Sequence, residues 1–106
     1  MAKLLQVDGS VLEVFPVNGT DFRLAEVQAM AGGLVEVLDI GWLIRHGLEP
    51  MSAVAGGKKI TLESDDIMIV NEEGLLIGME PNTVASVLAD RKLVGPVLLC
   101  KNNEFR

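Results

Sequence analysis

The chain has 106 residues, enough for one domain that removes roughly two thirds of its unfolded surface from water without metal or disulfide staples. Fifteen Asp and Glu against nine Lys and Arg leave a formal charge of −6, so the overall field repels phosphate backbones and direct nucleic-acid binding is disfavoured. The apolar fraction is 49%, yet no apolar run approaches the roughly 18 residues of a membrane-spanning helix. The surplus apolar surface goes either into core strands or between subunits, which leaves a homo-oligomer open.

The amino terminus, MAKLLQVDG, has one Lys and no long apolar stretch, so no secretory signal is expected and the cytoplasm is the default location. Leu4 to Val7 and Val11 to Phe15 flank Asp8-Gly9, the strongest short hairpin signal in the chain. Pro16 and Asn18-Gly19 end that hairpin. Leu24, Val27, Met30 and Ala31 recur at spacings of three and four, which predicts a helix closed by Gly32-Gly33. Leu34 to Ile40 alternates and reads as a strand whose buried face is ambiguous, with Glu36 as its polar marker. Trp42, Leu43 and Ile44 either start a short helix or cover a sheet edge. Ser52 to Gly57 reads as a flexible loop, Lys59 to Leu62 as a short strand, and Glu63-Ser64-Asp65-Asp66 as an acidic turn.

The densest run of signals is DIMIVNEEGLLIGMEPN at 66 to 82. Ile67 to Val70 is apolar without alternation and reads as a strand covered on both faces. Leu75 to Met79 reads as its hairpin partner across a type I turn, Asn71-Glu72-Glu73-Gly74, with Gly74 left-handed. Asn82 then caps a helix through Ala89, stopped at Asp90-Arg91-Lys92. Leu93 to Lys101 is the last strand, interrupted at Gly95-Pro96, and Asn102 to Arg106 reads as a frayed tail that only Phe105 would dock. The order predicts a single two-layer α+β domain over 1 to 106, a mainly antiparallel sheet of five to six strands covered by two short helices.

Three segments, DFRLAEVQAMAGGLVEV at 21 to 37, IVNEEGLLIGMEPNTVASVL at 69 to 88 and LVGPVLL at 93 to 99, together resemble the phage and mobile-element family known as domain of unknown function 3846. Gln28, Gly32, Gly33, Asn71, Glu72, Glu73, Gly74, Asn82, Ala85 and Gly95 occupy the matching positions. Arg23 stands where that pattern has a Ser or Thr helix cap, so the cap falls to Asp21 or is missing; Ala31 and Ser86 replace the usual Val and Thr. Residues 41 to 65 lie outside the pattern and look like an insertion. The resemblance implies a phage-type accessory protein in a bacterial cytoplasm, with no assigned activity.

Catalytic equipment is sparse: one His, one Cys and no Tyr. His46 has no Ser or Cys beside it in a nucleophile motif and reads as a surface residue. Cys100, within VLLC, reads as a buried small apolar residue. Glu72 and Glu73, with Asp65 and Asp66, would suit a divalent cation or acid/base work only if they converged; adjacent turn residues point apart, and neither metal nor cofactor is expected. Gly56-Gly57-Lys58-Lys59 lacks the spacing of a phosphate loop.

Two site hypotheses follow. In the first, a non-enzymatic protein binds and modulates or inhibits a host bacterial protein, a defence or regulatory factor, through Trp42, Leu43, Arg45, His46 and Met51. In the second, Gln28, Glu36, Asn71, Glu72 and Asn82 frame a pocket for a small polar ligand, such as a nucleotide immune signal held by a sponge, with Arg45 or Arg23 neutralising an anion.

Overall fold

The computed structural model describes residues 2–47 and 49–105, with the Leu43 side chain outside the described ones. In chain order the elements are β1 (Ala2–Leu5), β2 (Val11–Val14), α1 (Leu24–Ala31), β3 (Val35–Leu38), α2 (Trp42–Arg45), β4 (Ser52–Ala55), β5 (Lys58–Thr61), β6 (Asp66–Asn71), α3 (Thr83–Ala89) and β7 (Val97–Lys101). Five strands form one antiparallel sheet in the order β2-β1-β7-β6-β3, and β4 pairs with β5 in a separate ribbon. The fold is α+β.

The unalternating apolar run of β6 is explained by its position. Met68 and Val70 face one cluster with Leu5, Val97, Leu99, Ala85 and Leu88, while Ile67 and Ile69 face a second with Phe22, Val27, Leu98 and Cys100. Helix α1 lies on the second face, and α3 with the β4-β5 ribbon on the first. The expected two layers are therefore three, because successive strand residues point to opposite sides and both sides of β6 are apolar. Burying each such side chain contributes about 2 kcal/mol.

The expected second half of the central hairpin is absent. Both edges of β6 are taken, by β3 and β7, so Leu75 to Met79 has no ladder to join. Those residues close local turns instead, with Ile77 N–H donating to Glu73 O at 3.0 Å and Met79 N–H to Gly74 O at 2.9 Å. Leu75, Leu76 and Ile77 consequently stand exposed. Gly74 does donate to Asn71 O across the predicted turn, at 3.4 Å. Its φ is not positive. A side chain is excluded there by proximity, since a Cβ would lie 2.7 Å from Val94 Cγ2.

The segment read as a flexible loop is strand β4. Gly56 and Gly57, at φ +58° and +78°, form the tight turn that returns the chain as β5. Its Ala55 and Ile60, with Leu62, belong to the core beneath α3, so residues 41 to 65 complete one layer of the fold. The described part of the expected tail, 102 to 105, is also ordered, and Arg106 lies outside the described residues. Asn102–Glu104 forms a 3-10 turn, and Phe105 bridges Phe22, whose N–H donates to Glu104 O at 2.6 Å.

Helix α1 starts without a side-chain cap from Arg23. Glu26 turns back from its first turn and accepts the Arg23 N–H and Val17 N–H, each at 2.7 Å. These bonds, led by the one from Arg23, hold its carboxyl below the ordinary range. Helix α3 is capped as predicted: Asn82 Oδ1 accepts the Ala85 N–H at 3.1 Å. The same fully buried amide donates from Nδ2 to Leu5 O at 3.0 Å and Gly95 O at 2.9 Å, fastening α3 to β1 and to the approach of β7. Replacing Asn82 with Ala removes a cap and leaves two carbonyls without this donor. We expect Asn82→Ala to lower the unfolding free energy by about 3 kcal/mol, measured by urea titration; a loss under about 1 kcal/mol would show that the tie is dispensable.

Candidate functional site

A hollow of about 590 Å3 opens between the end of β3, α2 and the end of α3. Its position follows from the sheet. Strand β3 is an edge, and beyond Leu38 the chain turns at Gly41, where a Cβ would sit 2.2 Å from the Ser64 carbonyl oxygen. Gly41 N–H donates to Asp66 O at 3.1 Å, and α2 begins directly after it. Arg45 fixes that single helical turn by pairing with the Asp39 carboxylate and donating to Ser64 O. Leu38, Ile40, Ile44, Leu62 and Leu88 make the lining apolar; the exposed Trp42, Met51, Glu49, Asp90 and Arg91 also line it. Trp42 is 51% exposed, its ring centroid 4.3 Å from that of His46.

Two of the five predicted partner-binding residues, Trp42 and Met51, thus line the hollow. Arg45 is not among the lining residues; its guanidinium pairs with Asp39 and donates to Ser64 O. The His46 ring packs against Trp42 at a tilt of 43°, and the Leu43 side chain lies outside the described residues. Leu38, Ile40, Leu62 and Leu88 were missed as site residues. Their apolar character marked them as core, and only the packing shows that one side of that core opens.

The predicted polar pocket divides. Glu36, Asn71 and Glu72 share a hollow of about 300 Å3 with Leu75, Leu76, Arg91 and Lys92. Gln28 lies on α1 at the opposite face of the sheet, and Asn82 is sealed beneath α3. Neither lines that hollow. Asn82 spends its amide on three internal bonds, and Asn71 donates to Ala31 O at 3.0 Å while accepting the Glu73 N–H at 2.8 Å. The cations beside Glu36 and Glu72 are Arg91 and Lys92, in place of Arg45 or Arg23.

The four carboxylates considered for a cation are also separated. Asp65 and Asp66 stand at one end of β6 and Glu72 and Glu73 at the other, roughly 20 Å away at about 3.3 Å per residue. Glu63, Asp65 and Asp66 instead surround Lys101, whose Nζ lies 2.7, 3.0 and 3.1 Å from their oxygens. Burial opposes the charge on Lys101, but hydrogen bonds to the three carboxylates outweigh it and hold the ammonium above its ordinary range. The bond from Lys101 holds Asp65 below its own. Cys100 is buried next to this clamp; desolvation first, then Glu104 and Asp66, push its thiol up to about 12, so it is no thiolate at neutral pH.

The sign of the pH dependence follows from these shifts. A lowered Asp65 value adds stability above the unfolded value of 3.8, lost as pH falls through the folded one; a raised Lys101 value adds stability that is complete below 10.5. The clamp is therefore intact at neutrality and fails in acid. We expect the stability gap between wild type and Lys101→Met, constant near neutrality, to narrow in urea titrations as pH falls below about 4 and through the lowered Asp65 value; a gap that stays constant there would refute the clamp.

Among the described residues, no helix is long and apolar enough to cross a membrane. No family model, no curated protein and no solved structure matches the chain.

Proposed function

We propose that this protein is a non-catalytic recognition module that docks an apolar segment of another protein in the hollow beside β3. The observation that carries this reading is the hollow itself: about 590 Å3, mainly apolar in its lining, which includes half-exposed Trp42. Aromatic residues at the centre of a desolvated pocket supply much of the energy of protein association. The rigidity of the rim also supports it, since Arg45, Asp39 and Ser64 hold α2 in place before any partner arrives. In the phage-type setting that the family resemblance implies, the partner is a host bacterial protein, a defence or regulatory factor met in the cytoplasm, which the module modulates or inhibits.

A second reading has its own observation. Glu36, Asn71 and Glu72 do share a hollow with Arg91 and Lys92, which suits a small polar ligand with an anionic group, nucleotides included. A thermal shift with nucleotides that disappears in Arg91→Ala would favour it.

For the first reading, affinity capture from bacterial lysate should recover a protein that Trp42→Ala and Met51→Asp fail to retain, both variants keeping the wild-type melting temperature. With that partner purified, each substitution should weaken binding about tenfold or more. Equal retention by wild type and both variants would sink the docking site.

A further inference from the structure

We propose that the free edge of β3 receives an extended segment of the partner as a sixth, antiparallel strand, with a cation set against Glu36 and a large apolar side chain seated beyond Leu38. This rests on the protein-docking reading and specifies the form in which the partner binds.

Strand β3 is the last in the sheet and pairs on one side only, with Val35 to Leu38 opposite Asn71 to Met68 of β6. Leu34 O accepts the Glu72 N–H at 2.8 Å. In an antiparallel ladder hydrogen-bonded and non-hydrogen-bonded pairs alternate, so Leu34, Glu36 and Leu38 turn their backbone groups toward β6. Val35 and Val37 turn theirs outward. Each presents one N–H and one C=O in the spacing that an added strand uses. The large hollow adjoins this edge, since Val37 to Ile40 form one of its walls.

The side chains specify what such a strand carries. Glu36 and Leu38 share the face of Val70 and Met68, on the α3 side of the sheet. Residues directly across from them in a sixth strand would have Cβ atoms about 5 Å away. Glu36 is exposed and forms no ion pair among the described residues; Arg91 and Lys92 line the same hollow, and neither pairs with it. A Lys or Arg opposite Glu36 supplies the missing counter-charge. Two residues earlier in an antiparallel segment, the side chain opposite Leu38 enters the apolar hollow. The residues between and beyond lie against Val37 and Val35 on the other face, where β-branched side chains pack best.

A second copy of the chain fits this edge poorly. Each copy carries a charge of −6. In one symmetric register Glu36 faces Glu36, and in the two adjoining ones it faces Leu38 or Leu34 with no counter-charge. The edge selects a foreign, cationic strand.

The test uses fluorescence anisotropy with the full chain and the labelled synthetic peptide Thr-Val-Leu-Val-Lys-Val-Thr. Binding is expected, and replacing the peptide Lys with Glu should weaken it about tenfold. Glu36→Lys in the protein, checked for an unchanged melting temperature, should reverse that preference. N-methylation of the two valines flanking the peptide Lys, whose amides face Val37 and Val35, should abolish binding, whereas N-methylation of the Leu and Lys amides should leave it. Equal tolerance of both methylation patterns would overturn strand addition while leaving groove docking in place. So would failure of either charged peptide to bind protein that still captures its partner through Trp42. Concentration-dependent self-association lost in Glu36→Lys would overturn the foreign strand in favour of a second copy.

Discussion

Every side of β6 is occupied. Its faces are covered by two separate apolar clusters and its edges by β3 and β7, so this six-residue strand has no surface left for water or for another strand. Much of the architecture follows from that saturation. The residues after Asn71 are excluded from the sheet and form an exposed loop, although Leu75 to Ile77 are as apolar as the strand itself. Strand β3, paired within the sheet only with β6, becomes an edge with one free side.

The polar groups of the interior are used to fasten elements together. The Asn82 amide joins α3, β1 and the entry to β7; the Asn71 amide joins the end of α1 to the turn after β6. Buried amides engaged in this way add specificity to the packing. The cations Arg45 and Lys101 are likewise paired with acceptors of their own chain. Beside the unpaired edge of β3 lies a mainly apolar hollow, with Glu36 at the centre of that edge.

Local signals located most elements. Asp8-Gly9 marked a hairpin, Gly32 and Asn82 marked helix ends, and the unbroken run in β6 marked a doubly buried strand, because each of these depends on a few neighbouring residues. The errors lie where a distant partner decides. Ser52 to Ala55 is small and Gly-flanked, so by itself it reads as a loop; it is a strand because β5 pairs with it and α3 packs on it. Leu75 to Ile77 reads as a strand and is not one, because no edge remains to receive it. Trp42 and Met51 stand out in the sequence by their apolar character and do line the hollow, whereas Leu62 and Leu88, which also line it, are indistinguishable there from ordinary core.

The amino-acid sequence alone determined the α+β class, the turn and cap positions, the acidic balance and the burial of Cys100, since these depend on composition and short-range chemistry. Tertiary structure decided the third layer, the separation of Gln28 and Asn82 from Glu36 and Asn71, and the opening of the core beside β3. Those outcomes rest on which strand edges are already paired and which faces are already covered. Such competition among segments far apart in the chain leaves no trace in the local pattern of any one of them.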